Sequence, residues 1–193
     1  MSGRPRFETI NVNNVEICRS LCDELMAYQK SKAFLFPEAF DSMSFDTRMK
    51  KSCENAVDSQ IIVCKDLTMG EEVVGYAFST VEAISKESAL LLPFWVPEPV
   101  SGLNGFYPDW LKLPQNIGCL NNIYIKDGYR NLGLGAEFIR MALSWFKKFS
   151  DIEYIFVYIS NGNDDALKFY ETNGFNLSHD VFGGFITAMF KLN

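Results

Sequence analysis

A chain of 193 residues, 48% hydrophobic and 22% charged, is long enough to bury a substantial core and has the composition of an ordinary globular protein. Eighteen basic against twenty-four acidic residues give a net charge of −6, which argues against nonspecific nucleic-acid binding and against an anionic membrane surface. The opening residues 1–8 lack the apolar run of a signal peptide, and no stretch approaches about eighteen uninterrupted apolar residues. The five cysteines lack Cys-x-x-Cys spacing, so the expectation is a reduced, cytoplasmic chain, one domain over residues 1–193, with no metal site.

Residues 7–12 read as a first strand. Asn13 to Glu16 then resemble a capped helix start, and Cys18, Leu21, Cys22 and Leu25 follow at helical spacing, which predicts a helix over about 14–31. A second helix is expected over about 42–56, with Arg48, Lys50 and Lys51 on a charged face. Residues 60–66 and 73–84 read as a hairpin around 68–72. Residues 85–116 interleave Pro93, Pro97, Pro99, Pro108 and Pro114 with Phe94, Trp95, Phe106, Tyr107 and Trp110. A loop of this length is either a lid over a binding site or an aromatic flap over core.

The most informative stretch follows. The apolar run Asn121-Asn-Ile-Tyr-Ile125 leads into Arg130-x-x-Gly133-x-Gly135, which opens an amphipathic helix over 133–149 carrying Phe138, Ala142, Trp145 and Phe149 on one seam. Glycines let the backbone curl with its N–H groups inward, and the dipole of the following helix favours a bound phosphate by roughly 0.3 to 2 kcal/mol. There is no Gly-Lys-Ser/Thr ending for a P-loop, and position 138 is Phe where a dinucleotide fingerprint needs its third glycine. A shorter cradle suited to a pyrophosphate remains. After the apolar strand 154–159 comes a short helix with N-cap candidates Asn161 and Asn163, acidic Asp164 and Asp165 in its first turn, and Gly174 as its C′ residue. A final strand over 185–191 follows Gly183-Gly184.

Two motifs, Arg130-x-x-Gly133-x-Gly135 and Asn163-x-x-Ala166-x-x-Phe169-Tyr170-x-x-x-Gly174-Phe175, stand in this order over about residues 119–191. Together they resemble the GNAT superfamily of acyl-CoA-dependent N-acetyltransferases. The resemblance implies an α+β fold in the order βααβββαβαββ, a central mixed sheet of about seven strands flanked by about four helices. It also implies that the strand before the cradle and the strand after its helix splay apart. The resulting wedge, expected at 122–126 and 154–160, has free backbone groups that bond the pantetheine arm of acetyl-CoA.

By the same resemblance, the amides of Ile123, Tyr124 and Ile125 polarise the acetyl carbonyl, and Arg130, Asn131, Leu132, Gly133, Leu134, Gly135 and Ala136 hold the pyrophosphate. Asn163 and Phe169 border the pantetheine, although the register also makes Phe169 core, and Tyr170 protonates the departing thiolate. Arg130 reads equally as a solvated loop residue, and Tyr170 as a core aromatic. Relatives place an acid on the cradle strand as general base, whereas here Asn121 and Asn122 stand. An amide accepts no proton at neutral pH, so Asn122 is expected to hold a water or the amine, with Glu82 or a water chain to bulk as substitute base, and an amine of low pKa needing none.

Acceptor walls are expected from Phe34, Phe36, Glu38, Phe40, Asp41, Phe45 and Asp46 on one side. Trp95, Glu98, Tyr107, Asp109 and Trp110 form the other. Aromatics with carboxylates suit a cationic amine, and a small amine, an amino acid derivative, an aminoglycoside and a peptide amino terminus all fit. An acyl-CoA-binding module that has lost catalysis is the alternative, and a homodimer is compatible with either. His179 has no serine elbow to serve and reads as a surface turn residue.

Overall fold

The computed structural model describes residues 5–193; the first four residues, part of the reading against a signal peptide, lie outside them. Seven strands form one sheet: β1 (Arg6–Ile10), β2 (Asp58–Asp66), β3 (Glu72–Ile84), β4 (Gln115–Ile125), β5 (Tyr154–Ser160), β6 (Asn176–Val181) and β7 (Ile186–Leu192). Their spatial order is β1-β2-β3-β4-β5-β7-β6, with β4 and β5 parallel and every other pair antiparallel. Four helices, α1 (Arg19–Lys32), α2 (Lys51–Asn55), α3 (Leu134–Phe146) and α4 (Asp164–Thr172), complete the expected mixed α+β order.

The two faces of the sheet bury different things. Alternation along β3 sends Tyr76 and Phe78 toward α1, where they join Leu21, Cys22, Leu25, Phe45 and Met49. Val81 and Ala77, on the opposite face, pack with residues of α3, among them Phe138, Ile139 and Phe146. Gly118 on β4 is required by this second contact, since a Cβ there would stand 2.7 Å from the ring of Phe146.

Several expectations need correction. The first strand ends at Ile10, and the following helix begins as a 3₁₀ turn, Val12–Cys18, that becomes α-helical only at Arg19. The helix expected over 42–56 is a π-helical turn, Asp46–Lys50, followed by five α-helical residues. Side-chain acceptors account for this late start: the Ser44 amide donates to the nearby Thr47 Oγ1 at 2.9 Å, and the Phe45 amide to Asp23 on α1 at 3.0 Å. β4 begins at Gln115, so the loop expected over 85–116 covers 85–114. His179 is no turn residue; it lies in β6 and bonds the Gly105 carbonyl through Nε2 at 3.1 Å.

That bond is one of several fastening the loop between β3 and β4. The Phe182 amide donates to the Asn104 carbonyl at 2.7 Å, and the Tyr158 hydroxyl to the Phe106 carbonyl at 3.1 Å. Trp95 and Phe106 meet edge to face and both pack on Phe182. Trp110 instead stacks beside Phe156 against Tyr154 and Phe190. The segment is thus an aromatic flap over core, and its inner edge also walls a cavity.

Candidate active site

β4 and β5 are bonded only at Gly118 to Ile155 and Cys119 to Phe156. Beyond those two pairs the strands part. The wedge therefore lies between 120–125 and 157–160; residues 154–156, expected within it, belong to or precede the paired seam. The Lys126 amide donates to Val74 on β3 at 2.9 Å, so the two-residue alternation of an antiparallel ladder turns the N–H groups of Ile125 and Ile123 away from β3 and into the wedge. Tyr124, by the same alternation, gives its amide to the β3 side.

One irregularity shapes the site. Phe78 pairs with Asn122 and Ser79 with Leu120, which leaves Asn121 as the extra residue of a β-bulge. Without it, adjacent residues would face opposite sides of the sheet; with it, both Asn121 and Asn122 line one cavity on the α1 face. Asn122 is buried and donates to the Tyr76 hydroxyl at 3.1 Å. Asn121 donates to Thr80 Oγ1 at 2.7 Å, and Thr80 donates to Glu82 Oε1 at 2.8 Å. Burial raises the pKa of Glu82, opposed by the Thr80 and Cys119 donors and by the charge of Arg48. A connected path of hydrogen-bonding groups thus runs from the wedge to a carboxyl group poised above the ordinary carboxylate range.

The cavity measures about 630 Å³, within the range of small-molecule sites. Of the residues expected as acceptor walls, Phe40, Trp95 and Tyr107 line it and the others do not. The acids are engaged elsewhere or lie outside it. Asp41 binds Lys30, and Asp46 binds Arg19. Sequence reasoning missed Arg48 and Phe185 as cavity residues and placed Ser160 only in the wedge, whereas all three line the cavity. For Arg48 a signal existed: it stands three residues after buried Phe45 and one before buried Met49, on the same inward stripe.

On the other face, the cradle opens α3. Gly133 is the N-cap at φ +80°, no side chain caps the helix, and nothing lies within 4 Å of where its Cβ would be. The amides of residues 131–136 donate no hydrogen bond among the described residues. Such a bare row at a helix N-terminus fits a pyrophosphate. Gly135 has a second duty: a Cβ there would meet the Phe169 ring at 3.0 Å, so α3 and α4 touch at this point. Arg130 is not a free cation. Its Nε donates to the Ile125 carbonyl at 3.0 Å, it pairs with Asp127 at 2.7 Å, and its guanidinium lies 5.0 Å from the Tyr28 ring.

Tyr170 packs against Phe169 and Phe175 in the cluster that includes Leu120, Val157 and Ile159. It sits on the α3 and α4 face, behind the wedge. Its hydroxyl makes no hydrogen bond among the described residues, and burial holds it well above the usual phenol range. Asn163 caps α4 by position without a side-chain bond; Asn161 instead accepts from the amides of Phe34 and Leu35 and donates to the Phe185 carbonyl.

The sequence profile of the Acetyltransferase (GNAT) family matches residues 25–175. No curated protein matches the chain significantly. Among solved structures, the PaiA N-acetyltransferase of Thermoplasma acidophilum in complex with coenzyme A is similar at 14% identity and TM-score 0.62, over 97% of this chain and 99% of that one. Arabidopsis thaliana NAA60, in complex with a bisubstrate analogue, is similar at 13% identity and TM-score 0.58 over 98% and 99%. An acetyltransferase from Thermus thermophilus is similar at 13% and 0.56 over 100% and 99%. At these identities the likeness establishes a shared fold.

Proposed function

Because the chain belongs to the GNAT acetyltransferase family, we propose that it transfers an acetyl group from acetyl-CoA to a primary amine of a small molecule or peptide, by direct attack in a ternary complex. The observation that carries this reading is the wedge between β4 and β5, with a bare amide cradle at its helix end and, on the α1 face, a cavity that Asn121, Asn122 and Glu82 line. In this reading the cradle amides take the pyrophosphate, and the Ile123 and Ile125 amides meet the pantetheine and the acetyl oxygen.

The amine enters from the cavity and is oriented by Asn121 and Asn122. Its proton passes by water or through the Thr80 hydroxyl to Glu82, whose raised pKa brings it closer to the operating pH of a base. The nitrogen forms its bond to the acetyl carbon as the carbon–sulfur bond breaks, and the Tyr170 hydroxyl gives its proton to the departing thiolate. A phenol held protonated by burial and lacking a partner is available for that donation.

Release of free thiol from acetyl-CoA in the presence of an amine panel tests the reaction. Tyr170→Phe removes only the hydroxyl, so kcat should fall by roughly 10² to 10⁴ while acetyl-CoA affinity stays nearly intact. Full activity in that variant returns Tyr170 to a packing role. Acetyl-CoA binding without thiol release by any amine would favour the binding-module reading, which draws on the missing acid at positions 121 and 122.

A further inference from the structure

The cavity holds a guanidinium that no carboxylate pairs with among the described residues. Arg48 lines it from the turn Asp46–Lys50, with its guanidinium 5.6 Å from the centre of the Trp95 ring. Its side chain makes no ion pair and no hydrogen bond among the described residues, although the neighbouring Asp46 is held by Arg19. A guanidinium carries five donors and no acceptor, and Arg48, half-buried in the cavity wall, offers these donors to whatever occupies the cavity. Burial lowers its pKa, against the opposing influence of Cys22, Tyr76 and Glu82.

A second unanswered group lies in the same cavity. Ser160, 6% exposed at the end of β5, has a buried Oγ with no hydrogen-bond partner. The charged lining residues are Arg48, Lys51 and Glu82, two cations against one acid in a chain whose net charge is −6. Glu82 and Arg48 influence each other electrostatically yet form no ion pair among the described residues. Most of the remaining wall is apolar or aromatic, with Phe40, Phe78, Trp95 and Phe185 contributing.

Resting on the acetyltransferase reading, we propose that the acceptor is a small zwitterion: an amine that also carries a carboxylate, on an apolar or aromatic body. Arg48 takes the carboxylate through its planar fork, Ser160 adds a hydroxyl donor, and the ammonium faces Asn121, Asn122 and the path to Glu82. One fork and one hydroxyl match a planar monoanion and fall short of the donor shell of a phosphate dianion. A polyamine would meet Arg48 and Lys51 with like charge. This reverses the expectation of a carboxylate-lined pocket and selects the amino-acid class among the acceptors that the sequence left open.

The test uses matched sets: phenylalanine with phenethylamine, leucine with isoamylamine, and the aminophosphonate counterpart of each amino acid. For the parent protein and for Arg48→Gln and Arg48→Lys, thiol release from acetyl-CoA gives kcat/KM. Calorimetric titration of the same compounds into CoA-loaded protein gives affinity. Expected is a preference for the carboxylated member of roughly tenfold to a hundredfold in both readouts, typical of a charge-assisted, bidentate contact. The ratio should collapse toward one in Arg48→Gln and recover partly in Arg48→Lys, with near-ultraviolet circular dichroism verifying the fold. Carboxylate-selective binding without thiol release would sink the transferase reading and sustain the zwitterion site. A ratio near one in the parent, a ratio that persists in Arg48→Gln, preference for the phosphonate, or no binding by any set overturns the proposal.

Discussion

The chain turns from a strand into a helix with the same device twice, at residues 131–134 after β4 and at 161–164 after β5. Each turn holds a glycine in the left-handed region, Gly133 at φ +80° and Gly162 at φ +77°. Their surroundings are opposite. Around Gly133 nothing approaches within 4 Å of a Cβ position and the amides stand unbonded, whereas a Cβ on Gly162 would collide with the Lys32 carbonyl oxygen. The second turn is further closed by Asn161, which binds the loop after α1 through the amides of Phe34 and Leu35. A glycine at such a turn reports a backbone angle; whether the turn receives a ligand or seals a joint is decided by what the rest of the fold brings against it.

The comparison breaks most visibly at Gly162. Gly162→Ala combines left-handed strain of about 1 to 2 kcal/mol with a collision against backbone, so a loss of about 3 kcal/mol or more is expected. For a chain of this size that corresponds to a fall in Tm of roughly 6 to 12 °C. Thermal unfolding of the variant gives the answer, and a shift under about 2 °C would mean that the joint is not tight. Gly133→Ala should separate from it cleanly. With open space around the Cβ it loses only about 1 kcal/mol of stability, but acetyl-CoA affinity should weaken by roughly tenfold as the anion loses its approach to the amides. Calorimetry on the folded variant giving an unchanged Kd would move the pyrophosphate out of the cradle.

The smallest expected effect concerns Glu82, which lines the cavity on the α1 face. Glu82 has its pKa raised above 4.5 by burial, so its ionisation costs stability that is absent below the unfolded value and grows as pH rises through the folded one. Glu82→Gln should therefore be slightly more resistant to denaturant than the parent near pH 7.5, with the advantage vanishing near pH 4. In the same variant the acid limb of kcat/KM should disappear, while the parent's limb lies above the ordinary carboxylate range. A variant that unfolds more easily at pH 7.5 and keeps the parent's pH profile would remove Glu82 from the proton path.

The motif-bearing half of the fold was legible because each signal there is local. The Gly133 and Gly174 angles, the acidic first turn of α4 and the apolar runs of β4 and β5 are properties of neighbouring residues. What stayed hidden depended on partners far away in sequence. Asp41 and Asp46 read as acceptor walls until Lys30 and Arg19 claim them, and Arg48 read as part of a solvated face until Phe45 and Met49 turn it inward. Asn161 suited an N-cap by type, yet its bonds reach the loop after α1. The bulge at Asn121 has no composition signature at all; it exists only as a mismatch between β3 and β4.

The short seam between β4 and β5 divides the sheet mechanically. Four strands, β1 to β4, form one leaf and three, β5, β7 and β6, form another, hinged where two residue pairs meet. Ile123 and Ile125 lie at the middle of a seven-stranded sheet, yet their amides have the solvent vulnerability of an outer edge. In the free protein those two hydrogens exchange with deuterium ahead of their neighbours Asn122 and Tyr124, whose amides β3 protects. A ligand seated in the wedge acts as a missing strand, joining the leaves and slowing that exchange, so it stiffens the whole sheet from its centre outward.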